Sequence, residues 1–243
     1  MVAYIQIDKD KEFYNVNGFV AYTGFKALGF EVKKFHDVDE IASNDPEIII
    51  VGGISNVRKR LSNLGIEQGG EELEYPSELQ AYFNRKIWSS NLKAVMEDDN
   101  QRNIFLKPKE TKTFNGKVIK EFKDFIGLNV SEEVEVWCAE VVELKTEWRC
   151  FVRYAELLDV RYYKGVWDSK LDVDLVKKAI ADFKSAPAAY CLDFGVDEKG
   201  KYYLVEVNDG HSLGSYGMGA VSYAKFLSAR WAELTNTKDY LRF

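Results

Sequence analysis

The stretch 191–209, CLDFGVDEKGKYYLVEVND, concentrates oxygen-bearing side chains suited to a hard cation. Asp193 lies in one apolar run, and Glu206 and Asn208 lie two residues apart in the next. Side chains two apart on a strand share a face. The turn Asp197-Glu198-Lys199-Gly200 is short enough to bring Asp193 opposite them as a hairpin. Two carboxylates and an amide oxygen suit magnesium rather than zinc, and magnesium keeps further positions for water and phosphate. The competing reading is an edge hairpin with solvent-facing acids. Leu192, Phe194, Leu204, Val205 and Val207 weigh against it, because acids among apolar neighbours carry a burial cost unless paired or metal-bound.

Other groups point to phosphate and nucleotide. Lys107 ends the apolar run IFLK before Pro108, where its ammonium could neutralise a phosphate or simply snorkel at a sheet rim. The turn KETKTFNG carries Lys112, Phe114 and Gly116 and reads as a phosphate lid or as a charged surface hairpin. Glu140, Val141 and Val142 follow Trp137 on a strand leading into a connector, which offers backbone donors and acceptors to an adenine edge between apolar walls. Glu147 and Arg149 alternate on one strand face. The acid suits ribose hydroxyls and the guanidinium suits phosphate or carboxylate, unless they pair with each other or with neighbours. Arg161 is a second inward arginine on the next strand. The loop DGHSLGSYG after Asn208 has glycines that let backbone approach a ligand, and His211 in it is a candidate base.

These groups need a scaffold, and the apolar pattern supplies one. Strands are expected over residues 2–7, 31–35 and 47–51, with helices over 18–28 and 56–64. That order describes a small α/β unit of the doubly wound type. Gly52-Gly53 after the third strand lacks the spacing of a dinucleotide fingerprint. Residues 67–76 read as a loop near a domain boundary, giving domains of 1–75 and 76–243. Helices are expected over 77–83 and 88–96. Strands follow over 103–107, 117–122, 133–142, 148–154 and 156–163, then a helix over 173–186, the hairpin, and a closing helix over 222–234.

The composition fits a globular protein: 46% of the 243 residues are hydrophobic and 30% charged. The formal net charge of -6 argues against a general nucleic-acid coat. Three cysteines, Cys138, Cys150 and Cys191, lie in apolar runs without zinc spacing and read as buried thiols of a reducing compartment. No secretory signal or membrane span is expected, and the cytoplasm is the default location.

In order, FLKPKETKTFNG, VWCAEVVELKTEWRCFV, VRYYKG, AYCLDFGVDEKGKYYLVEVNDGHSLGSYG and ARWAEL resemble the ATP-grasp superfamily. They are nearest to its small bacterial and phage subgroup named for an arginine and two lysines. The resemblance implies two α+β subdomains gripping ATP, preceded by a small Rossmann-like α/β domain that helps build the acceptor site. It implies that Lys107 contacts the α- and β-phosphates, that Lys112 lies on the lid, and that Glu140, Val141 and Val142 form the adenine hinge. Glu147 would sit near the ribose. Asp193, Glu206 and Asn208 would hold magnesium, and Arg149 and Arg161 would steady the transferred phosphoryl group or a substrate carboxylate. The implied activity is ATP-dependent ligation of a carboxylate to an amine or thiol through an acyl phosphate, with ADP and phosphate released. The alternatives are a nucleotidyltransferase or RNA-ligase-like enzyme, which would release pyrophosphate, and a non-catalytic ATP-binding module.

Overall fold

A computed structural model describes residues 1–10, 12–66, 73–110 and 113–243. Lys112 and part of the expected loop at 67–76 lie outside the described residues. The strands are β1 (Val2–Gln6), β2 (Glu31–Phe35), β3 (Ile49–Val51), β4 (Ile87–Asn91), β5 (Ile104–Pro108), β6 (Lys117–Ile119), β7 (Glu135–Glu140), β8 (Thr146–Arg153), β9 (Glu156–Gly165), β10 (Ala189–Val196) and β11 (Tyr202–Asp209). The helices are α1 (Val16–Ala27), α2 (Ile54–Asn63), α3 (Gln80–Phe83), α4 (Leu92–Glu97), α5 (Val173–Asp182) and α6 (Ala220–Leu234). They fall into two compact units, one of residues 1–80, 146–195 and 204–243, the other of 81–145 and 196–203.

The first unit contains two sheets. One has three parallel strands in the order β2-β1-β3. The other has four strands in the order β11-β10-β8-β9. Apolar residues alternating along β1 bury Ala3 and Ile5, and β3 is buried throughout, as befits a short parallel strand covered on both faces. Helix α1 starts where the Asn15 side chain accepts from the Gly18 amide, and Gly29 at φ 81° lets the chain turn out of it. A Cβ on Gly24 would lie 2.0 Å from the Ala220 carbonyl oxygen, so this glycine sets the close approach of α1 to α6. Phe25, Phe151, Phe226 and Trp231 are large members of the core that results.

The second unit is built on an antiparallel sheet in the order β4-β7-β5-β6. Leu92, Val95, Leu106, Val136 and Cys138 close its core. One expectation is corrected here. Residues 88–96 do not form a single helix: Trp88 to Asn91 pair with β7, and only from Leu92 does the chain turn helical. Asn91 makes the switch, its side chain accepting from the Ala94 amide as an N-cap. All three cysteines are buried and unpaired. No helix among the described residues is long and apolar enough to cross a membrane.

Candidate active site

The strand order β11-β10-β8-β9 brings three separated pieces of sequence side by side in the first unit. Arg149 on β8 holds Asp193 on β10 at two points, Nε to Oδ1 at 2.8 Å and Nη2 to Oδ2 at 2.5 Å. From β11, the Asn208 Nδ2 lies 3.2 Å from Asp193 Oδ2 and 3.1 Å from Glu206 Oε1. Asp193, Glu206 and Asn208 are therefore gathered, as the hairpin predicts, with Arg149 added to them. The guanidinium carbon of Arg149 lies over the Tyr216 ring, 4.5 Å from its centroid.

Burial governs the charges. Asp193 is 1% exposed and the Arg149 side chain 8% exposed, so both charges carry a cost for leaving water. Burial pushes the Asp193 carboxyl up to about 6, with Arg149 pulling the other way. Burial also opposes the Arg149 charge, but its contact with Asp193 more than restores it and holds the guanidinium firmly charged. Two carboxylates with a carboxamide form an oxygen donor set that fits a hard dication, once the Asn208 amide turns its oxygen toward them. No group of three or more His, Cys, Asp and Glu side chains gathers as a metal site among the described residues, so the amide is essential to that donor set.

The remaining expected residues are distributed as follows. Glu147 is buried and accepts from the Tyr163 hydroxyl at 2.9 Å and from Lys164 Nζ at 2.5 Å, both from β9. Burial, then the charges of Asp193 and Glu147, pushes the Tyr163 phenol far above its usual range, so it stays a donor. Arg161 stands opposite Arg149 in the β8–β9 register, yet its guanidinium closes on Asp159 of its own strand at 2.6 Å and 3.0 Å. In the second unit, Lys107 is buried on β5 opposite Trp137. Glu140 ends β7, its amide donating to the Lys86 carbonyl and its carboxylate accepting from the Lys86 amide. Val141 and Val142 then leave the ladder as irregular chain.

The sequence profile of an ATP-grasp domain, family 2 of the clade named for an arginine and two lysines, matches residues 82–226, more than half of the chain. The chain belongs to that ATP-grasp family. Its enzymatic character follows from that membership, and ATP is its nucleotide. Among solved structures, it is similar to D-alanine–D-alanine ligase from Bacillus anthracis complexed with ATP, at 16% identity over 97% of this chain and 96% of that one, TM-score 0.62. A D-cycloserine synthetase matches at 10% identity over 95% of this chain and 100% of that one, also with a TM-score of 0.62. N5-carboxyaminoimidazole synthetase from Staphylococcus aureus complexed with ADP matches at 10% identity over 98% and 77%, TM-score 0.62. At these identities the likeness is one of fold. No curated protein matches the sequence.

The ATP-grasp chain also carries a cluster absent from the expected site. Asp209, on the opposite face of β11 from Asn208, accepts from Arg230 Nε at 2.8 Å and from Arg230 Nη2. Its Oδ1 lies 2.6 Å from His211 Nδ1. Burial works against the Asp209 charge, but these hydrogen bonds hold its carboxyl well below the usual carboxylate range. The sequence signal was modest: Asp and His two residues apart in a glycine-containing loop. Arg230 lies 21 residues from Asp209 on α6, and nothing local announces the pairing.

Proposed function

We propose that the protein is an ATP-dependent ligase that joins a carboxylate to an amine or thiol through an acyl phosphate. The observation that carries this reading is the buried Arg149–Asp193 pair with Asn208 and Glu206 beside it, in a chain of the ATP-grasp family. A carboxylate is a poor electrophile. Its oxygen attacks the γ-phosphorus of ATP, the bond to ADP breaks, and an acyl phosphate results. The nucleophile then attacks the acyl carbon and phosphate leaves. Little covalent work falls to the protein, whose task is to position reactants and neutralise charge.

Asp193, Glu206 and Asn208 would hold magnesium, which supplies charge neutralisation at the terminal phosphates. Arg149 keeps the buried Asp193 ionised and therefore able to serve as a ligand. Lys107 contacts the α- and β-phosphates, with Lys112 on the phosphate lid. Glu140, Val141 and Val142 flank the adenine, Val141 and Val142 offering backbone outside the ladder. Glu147 faces the ribose, and its bonds to Tyr163 and Lys164 fix its orientation for that contact. Arg161 joins Arg149 at the phosphoryl group or the substrate carboxylate. Residues 1–75 form the domain that shapes the acceptor site, ahead of an ATP-grasp domain of 76–243, and the protein acts in the cytoplasm.

The test is to incubate protein, ATP and a pool of carboxylic acids with hydroxylamine. An acyl phosphate is trapped as a hydroxamate in step with ADP. Accumulation of AMP and pyrophosphate would refute the reading in favour of nucleotidyl transfer.

A further inference from the structure

Within the first unit, the chain runs from β1 to β2 on one side and then crosses back to β3 on the other. In open parallel sheets such a reversal leaves a crevice beyond the carboxyl ends of the strands, and ligands bind there. A pocket lies at this place. Gln6 at the end of β1, Gly52-Gly53 after β3, and Asn15 and Asn17 at the start of α1 line it. Three of these residues are carboxamides, and the backbone turns each of them the same way. Gln6 Oε1 accepts from the Gly53 amide at 2.7 Å, Asn15 Oδ1 from the Gly18 amide at 3.1 Å, and Asn17 Oδ1 from the Ser215 amide at 2.8 Å. A backbone N–H only donates, so it meets the oxygen end of each group and fixes where the nitrogen end goes.

The three NH2 ends are left over. None makes a hydrogen bond among the described residues. Gln6 is only 9% exposed, and its unbonded Nε2 is not sealed from solvent, so that end opens on the pocket the residue lines. Ser212 also lines the pocket, with a buried hydroxyl that has no partner and can supply a further donor. Each NH2 carries two donors and no acceptor, so the complement of this array is a group of acceptor oxygens. Charge decides what kind. No Asp, Glu, Lys or Arg lines the pocket among the described residues, so nothing there repels an anion. Helix α1 begins at its rim with no acid in the first turn, and the uncompensated positive end favours negative charge. An oxyanion that accepts from several neutral N–H groups is held without a cation beside it. The donors are side-chain amides, so their capacity does not change with pH.

We propose that this pocket binds the oxyanion group of a small molecule, a carboxylate or a phosphate, through the NH2 ends of Gln6, Asn15 and Asn17. The site shares no residue with the proposed metal and nucleotide contacts, and it does not rest on the ligase reading.

The side-chain NH2 signals of 15N-labelled protein report on these donors directly. Those of Gln6, Asn15 and Asn17 are assigned from Gln6→Glu, Asn15→Asp and Asn17→Asp samples. Inorganic phosphate, acetate and acetamide are each titrated to high millimolar concentration with no nucleotide present. Phosphate or acetate should move the three signals saturably and with one dissociation constant. Acetamide offers a carbonyl oxygen without charge and should bind about tenfold or more weakly. The tighter of the two anions tells a phosphoryl ligand from a carboxylate one. Asn15→Asp and Asn17→Asp keep the oxygen that the backbone uses and exchange the NH2 for a negative charge, so each should weaken the anion by about tenfold or more. Asn15 is exposed and aspartate caps a helix as well as asparagine, so its variant keeps the fold and decides the test even where Asn17→Asp unfolds. NH2 signals that answer neither anion overturn the proposal, as does acetamide binding as tightly, or full anion affinity in the folded Asn15→Asp protein. The readout needs no ATP turnover, so it stands or falls separately from hydroxamate formation.

Discussion

Replacing Arg149 with methionine should make the stability of the protein depend on pH in a way the wild type does not. The substitution keeps much of the side-chain volume and removes the charge that faces Asp193 at 2.5 Å and 2.8 Å. With Arg149 present, the Asp193 carboxyl already sits at about 6, above the usual carboxylate value, because burial dominates. Without the guanidinium, burial and the charges of Glu206 and Glu147 all push it upward, and buried carboxyls reach about 8 to 9. A further rise of about two units corresponds to ~3 kcal/mol, at about 1.4 kcal/mol per unit. The sign follows from proton binding: a raised folded-state pKa means the native state holds the proton longer, so stability is lost as pH rises through that pKa. The variant should therefore trail the wild type by ~3 kcal/mol at pH values above about 8, and by ~1 kcal/mol or less below about 6, where Asp193 is protonated in both proteins. Urea unfolding of both at the two pH values measures the difference, and the other titrating groups cancel between them. An equal deficit at both would refute the claim that Arg149 stabilises by compensating a buried charge.

Three other expectations follow from the same geometry. Glu206→Gln should abolish ADP release while leaving the free energy of urea unfolding within ~0.5 kcal/mol of wild type, since Glu206 is only partly buried and the substitution keeps its shape; a fully active, folded variant would remove it from the metal site. Lys107→Ala should weaken ATP by about tenfold or more in calorimetric titration but leave adenosine nearly unaffected, because only phosphates feel the lost charge; equal losses would place Lys107 elsewhere. Gly24→Val should destabilise by ~3 kcal/mol or more, as the added Cβ would lie 2.0 Å from the Ala220 carbonyl and force α1 from α6; an unchanged thermal midpoint would mean that the helix contact is plastic.

The hairpin was legible because its acids interrupt apolar strands, and a period of two fixes which of them share a face. Glu206 and Asn208 meet Asp193 for that reason. The partners of Glu147 were not legible, because Tyr163 and Lys164 reach it across a β8–β9 ladder whose register shifts between Glu147 and Trp148. No spacing rule on one strand reports a bulge on a pair. Residues 88–96 misled for a different reason: Trp88, Leu92 and Val95 recur at helical spacing, and pairing with β7 overrides that pattern at Trp88. Gly52-Gly53 was weighed against a dinucleotide fingerprint, whereas in the structure the Gly53 amide donates to Gln6 Oε1 at 2.7 Å, a partner 47 residues earlier.

The run Glu206-Val207-Asn208-Asp209 shows how one strand serves two chemistries. The pleat sends Glu206 and Asn208 toward Asp193 and sends Asp209 to the other side, where Arg230 on α6 and His211 take it. Asn208 and Asp209 are adjacent in sequence, so neither can move without the other. A shift of the β11 register by one residue would exchange their faces, placing Asp209 beside Asp193 and removing the carboxylate that orients His211. The register of β11 thus couples the proposed metal ligands to the Asp209–His211–Arg230 cluster. Two features hold it: the tight turn after β10, where Asp197 Oδ1 accepts from the Lys199 and Lys201 amides at 2.9 Å and 2.8 Å, and the Gly210 amide on the Ala189 carbonyl at 3.1 Å. At the second, a Cβ on Gly210 would stand 2.4 Å from that carbonyl oxygen, so a side chain there would push the strand end away just where the two sets of groups diverge.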